Sequence, residues 1–106
     1  MSTYLFIANF TAEGARGVLA EGGKARRAVI EKLFASLGGT MESFYFAFGS
    51  DDVFIIGKLP GNAEAAAAAL TTSSTGAVHT RTIVLLTPDE LDAASKLSPS
   101  YRAPGA

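Results

Sequence analysis

Two carboxylates stand side by side at Asp51 and Asp52, within the stretch FAFGSDDVFII that runs from residue 46 to 56. A carboxylate pair can serve as acid and base or hold a metal ion, but either use needs side chains that converge. Neighbouring residues on an extended chain point to opposite faces, so these two do not readily share one site. The simpler reading is a turn in which one aspartate bonds backbone N–H groups and the other is solvated. Asp52, at the entrance to the following run of branched residues, is the one expected nearer a pocket. A second place for chemistry is AVHTRTIVLL, where His79 and Arg81 are two residues apart and therefore on one face of a strand. His79 suits a general acid or base there, with Arg81 to hold an anionic or carbonyl oxygen. Pairing of that strand with the first one brings Asn9 beside His79. A solvated histidine at the rim of an exposed strand accounts for the same residues without any chemistry.

Other chemistry is excluded by residue type. The chain has no cysteine and one histidine, which removes thiolate nucleophiles, disulfides, sulfur-ligated metals and multi-histidine metal sites. No metal or cofactor is expected. GVLAEGGKA has the glycines and lysine of a phosphate loop, Gly17, Gly22 and Lys24, but out of register, and Ala25 replaces the hydroxyl that would hold magnesium. Gly22 and Gly23 at a helix start leave only a weak anion site. No G-x-S-x-G frame accompanies the serines. Tyr45 and the phenylalanines around it either line a cavity or form ordinary core.

The elements that must position these groups are legible from periodicity. TYLFIANF (3–10) reads as a strand. Thr11 can cap a helix, Gly22-Gly23 interrupts it, and apolar positions resume at helical spacing to Leu37, giving one kinked helix or two short ones. Gly38-Gly39 ends that segment. TMESFYFAF (40–48) and DVFIIGKL (52–59) are two strands joined by a short hairpin link. Pro60-Gly61-Asn62 ends the third strand and starts an alanine-rich helix, whose small side chains let it lie close on a sheet. The strand at 77–86 follows, and Thr87-Pro88-Asp89-Glu90 combines a capping box with proline at the first helical position, opening a short helix to about Leu97. Residues 1–97 thus make one domain, with 98–106 a loose tail. The order β-α-β-β-α-β plus a C-terminal helix is the ferredoxin-like α+β arrangement, an antiparallel sheet in the order 4-1-3-2 with the main helices on one face.

That arrangement exposes a conflict. One helical layer covers one sheet face, so the other should be polar. Instead Tyr4, Phe6 and Ala8 alternate with Leu5, Ile7 and Asn9, and Val53 and Ile55 alternate with Phe54 and Ile56. Simple alternation in the second strand gives Phe44, Phe46 and Phe48 one face and Met41 and Tyr45 the other. A second copy of the chain, sheet against sheet, is the expected cover; the alternative is the C-terminal helix and tail folding over.

With 48% hydrophobic and 18% charged residues the chain is far from the disordered class. At 10.9 kDa it should fold to roughly 5,600 Å² of surface. A net charge of -1 supplies no field for nucleic acid or membrane partners, and no basic leader or long apolar span is present. A cytoplasmic protein that associates with itself, as a homodimer or higher homo-oligomer, is expected, with a small organic molecule as its other candidate partner.

ANFTAEGARGVLAEGGKARRAVIEKLFASLGG, FYFAFGSDDVFII and RTIVLLTPDEL, in this order and spacing, resemble the GYD domain family over about residues 3–97. The resemblance implies a small bacterial protein of the dimeric α/β-barrel kind. Gly49 and Asp52 match the family's glycine and aspartate, and Asp51 stands where its tyrosine is expected. Two functions are compatible with these features. One is a homo-oligomeric binding or assembly module with an apolar ligand pocket between sheets, ligand contacts falling to Asn9, Tyr45 and Asp52. The other is a cofactor-free isomerase or monooxygenase of the dimeric α/β-barrel kind, using His79 as acid/base with Arg81.

Overall fold

A computed structural model describes all 106 residues. The chain runs β1 (Ser2–Phe10), α1 (Ala12–Glu21), α2 (Gly23–Ser36), β2 (Thr40–Phe46), β3 (Val53–Leu59), α3 (Asn62–Ser73), β4 (Val78–Leu85) and α4 (Pro88–Ser95). The first helical segment is two helices. Thr11 caps α1 by accepting the Gly14 N–H, and Gly22, at φ 87°, makes the break that an L side chain would resist. α2 ends in a Schellman motif: Gly39 N–H donates to the Phe34 carbonyl and Gly38 N–H to that of Ala35, with Gly38 at φ 81°. α3 starts at Pro60-Gly61-Asn62 with no side-chain cap; the Asn62 side-chain oxygen instead accepts the Tyr4 hydroxyl at 2.7 Å.

The four strands form one antiparallel sheet in the order β2-β3-β1-β4, the ferredoxin-like arrangement read from the opposite edge. Residues in register across it share a face. On the helix-covered face lie the rows Phe46–Val53–Ala8–Thr80, Phe44–Ile55–Phe6–Thr82 and Met41–Gly57–Tyr4–Val84. The first three strands of these rows, with Ile30 and Phe34 of α2 and Ala65 and Ala68 of α3, hold the core. Phe34 meets Phe6 edge to face at 5.7 Å, and its ring occupies the space a Cβ on Gly57 would need.

Strand two departs from simple alternation. A register shift between Met41 and Ser43 returns Met41 to the helix-covered face, where it is 7% exposed. A bulge adds one residue and so flips the alternation beyond it. Phe48 lies past the end of β2, fully exposed.

The opposite face carries the rows Tyr45–Phe54–Ile7–Arg81, Ser43–Ile56–Leu5–Ile83 and Lys58–Thr3–Leu85. Its centre is apolar. The capping box of α4 is complete, with Thr87 accepting the Glu90 N–H at 3.1 Å and Glu90 accepting the Thr87 N–H at 3.0 Å. Yet every residue of α4 is exposed, Leu91 at 60% among them. The C-terminal helix therefore does not serve as the cover for this face. The chain is accordingly extended, with a radius of gyration of 16.9 Å where about 13 Å is usual for its length. Its accessible surface is 7119 Å², about 1,500 Å² above the roughly 5,600 Å² of a compact monomer of this mass. No helix is long and apolar enough to cross a membrane.

Candidate functional site

The two aspartates part company in the link between β2 and β3, each turned to different partners. The Asp52 carboxylate accepts the Phe10 N–H at 2.8 Å, its own N–H donates to the Ala8 carbonyl, and its carbonyl accepts the Ala47 N–H. It ties β1 to the link between β2 and β3 just where ladder pairing stops at Ala8 and Val53. This is a structural post, and the carboxylate is turned to backbone. Asp51 is the aspartate that meets other side chains. It accepts from Asn9 Nδ2 at 3.2 Å, and Arg81 Nη2 lies 3.2 Å from both its oxygens.

His79 is opposite Asn9 in the β1–β4 register, and Arg81 is opposite Ile7. Asn9, Asp51, Arg81 and His79 thus gather at one end of the uncovered face. His79 is exposed and makes no side-chain hydrogen bond. The Arg81–Asp51 pair is unequally exposed, 61% for Arg81 and 20% for Asp51, and a pair of this kind contributes up to about 1 kcal/mol. Arg81 spends one nitrogen on Asp51 and keeps other donors for a ligand oxygen. Tyr45 shares a row with Arg81 but lies three strands away, roughly 14 Å. It is 70% exposed and belongs to the far edge of the face. No three acidic or histidine side chains gather closely enough to hold a metal ion.

A second concavity lies on the helix-covered side. A cavity of about 50 Å³ sits between the sheet, α2 and α3, walled by Phe6, Phe34, Phe44 and Ile55, with Arg26 its one charged residue. Arg26 also lines a groove of about 500 Å³ between α1, α2 and the end of α3. The sequence reading did not single out Arg26. Its signal was faint: one of two adjacent arginines, in phase with Ile30 on α2.

A small ferredoxin-like α+β domain, with a polar group at one end of an open sheet face whose centre is apolar, is the class these features define. The match of residues 4–95 to the GYD domain makes the assignment specific. The chain belongs to the GYD domain family. No curated protein and no solved structure shows significant similarity to it.

Proposed function

We propose that the protein is a homo-oligomeric binding module in which the open face of the sheet packs against that of a second copy. The observation that carries this reading is the apolar centre of the sheet face opposite the helices, formed by Leu5, Phe54, Ile56 and Ile83; the projecting α4 and the segment after it add to the excess of about 1,500 Å² of surface over a compact monomer. A four-stranded face of this length has a plan area of roughly 480 Å², short of the ~800 Å² per partner typical of a stable interface. The projecting α4 and the residues just after it, with Leu91 and Leu97 exposed, supply the remainder by reaching across to the partner. The Asn9–Asp51–Arg81–His79 group then lies at the rim of a pocket between the two sheets, apolar within and polar at its mouth, with room for a small organic ligand. Sedimentation equilibrium tests the assembly: twice the chain mass of 10.9 kDa is expected, and a monomer throughout the micromolar range would sink the reading.

One observation favours a second, catalytic reading. The register sets His79 beside Asn9, with the Arg81–Asp51 pair one row away. In an isomerase or monooxygenase without cofactor, His79 moves the proton while Arg81 or Asn9 holds the substrate oxygen. His79 is the single histidine, so its modification by diethylpyrocarbonate reports its access to solvent directly. Enclosure in a pocket predicts slow modification in the assembled protein and fast modification in a dissociated variant. Equal rates in both would remove the catalytic reading.

A further inference from the structure

We propose that the cleft between the sheet, α2 and α3 is a binding site for a small monocarboxylic acid with an apolar body, its carboxylate held by Arg26. The cavity exists because of what α3 presents to the sheet. Ala65 and Ala68 bring the helix close, but the methyl groups of Ala68 and Ala69 do not fill the space in front of Phe6 and Phe44. The resulting volume is about 50 Å³, several times the roughly 10–15 Å³ that admits one water. Water is a poor occupant, because the walls are hydrocarbon and offer few of the two to four polar partners a buried water needs. An apolar group is the occupant such walls select.

Arg26 defines the other end of the ligand. It lines both the apolar cavity and the wide groove outside it, so it stands where the two meet. Its side chain is 29% exposed and makes no hydrogen bond; it forms only a long ion pair with Glu21, N···O 3.7 Å, which a ligand carboxylate at hydrogen-bond distance would displace. Five N–H donors in a planar fork match a carboxylate's two oxygens. Glu13 and Glu21 line the groove as well and Arg26 is the one cation facing either concavity, so a second carboxylate on the ligand would meet only acidic groups. The arrangement selects one carboxylate, not two. This cleft and the open sheet face are on opposite sides of the sheet, so either can fail without the other.

Octanoate and 3-phenylpropionate are suitable probes, titrated into the full chain and followed by ¹H–¹⁵N amide shifts. Saturable shifts are expected at Ile30, Phe34, Ala69 and Val78, with no saturable response to octanedioate. Arg26→Gln should weaken octanoate about tenfold to a hundredfold through loss of the charge-assisted hydrogen bonds. Ala69→Leu, which fills the cavity, should abolish binding; Arg26 is half-buried at the mouth of the cleft and outside the core cluster, so its variant keeps the test decisive if Ala69→Leu misfolds. Absence of saturation at millimolar concentration, shifts confined to the Phe54–Ile56 face, or equal octanoate affinity in Arg26→Gln would each overturn the proposal.

Discussion

Ile56→Lys tests the sheet-to-sheet assembly most directly. Ile56 lies between Leu5 and Ser43 in the middle row of the open face, pointing away from the core cluster. It is already half-buried by its neighbours. Full burial of an isoleucine is worth ~1.5–3 kcal/mol, so about 1 kcal/mol remains to be gained when a partner covers it. In a two-fold interface the residue occurs twice. Loss of both therefore weakens association by about 2 kcal/mol, roughly 30-fold in dissociation constant. That figure is a floor. A lysine at the rim can extend its ammonium to water, but near the centre two unpaired charges would meet and add several kcal/mol more. The folded monomer should hardly notice, within about 0.5 kcal/mol by urea unfolding, because the site is outside the core. Sedimentation equilibrium across the micromolar range reads the dissociation constant, and Lys32→Glu on the exposed side of α2 is the control expected to leave it unchanged. An unchanged dissociation constant for Ile56→Lys would refute the reasoning, whatever the wild-type stoichiometry.

Three further outcomes follow from the geometry. Asp52→Ala should cost about 1–3 kcal/mol in urea unfolding, since it leaves the Phe10 N–H without its acceptor, whereas Asp51→Ala should cost no more than about 1 kcal/mol because its arginine partner is mostly in solvent; equal losses would contradict the separate roles argued for the two. Gly57→Ala should destabilise the fold by ~1–3 kcal/mol, because the added methyl must displace the Phe34 ring, and a variant of unaltered midpoint would show that the ring has room to move. Thr87→Ala removes half of the capping box from an eight-residue helix with no core contact, so amide exchange in α4 should speed up by about tenfold, for a cap worth ~1 kcal/mol, with the global unfolding midpoint unmoved.

What was legible in the sequence is what local chemistry decides. Thr87, Pro88 and Glu90 specify a helix start wherever the helix goes, and that start is present. Gly22-Gly23 and Gly38-Gly39 punctuate the first helical segment where expected, since positive φ is a property of the residue itself. The alternation of Tyr4, Phe6 and Ala8 with Leu5 and Ile7 identified two apolar faces, and the β1–β4 register sets Asn9 opposite His79. Three features stayed hidden because they depend on parts far apart. The bulge that returns Met41 to the core leaves no mark in hydrophobic pattern, where Met41 reads equally well on either face. The Asp51–Arg81 contact spans thirty residues and arises because β1 lies between β3 and β4, within reach of both. The cavity beside Arg26 comes from alanines that the sequence marks only as permitting close approach; that they leave a space depends on where the phenylalanines opposite them stand.

The polar groups that could bind a ligand are divided between the two faces of this sheet. An enzyme concentrates convergent polar groups in one cleft. Here the polar residues that converge, Asn9, Asp51 and Arg81, largely satisfy one another, and the concavity with the most apolar wall has a single charged residue, Arg26. Recognition by shape and one charge demands far less of a sequence than catalysis does, since apolar walls are supplied by residues the core needs anyway. The aspartate pair illustrates the division: Asp52 holds strands together, and Asp51 restrains the arginine at the rim of the open face. If that restraint matters to binding, Asp51→Asn should leave the fold intact while freeing the Arg81 guanidinium, and anion-dependent amide shifts should then appear at Arg81 and His79 that the unaltered chain lacks. Identical shifts in both would mean that Arg81 is already free to bind, and that Asp51 does no more than occupy the turn.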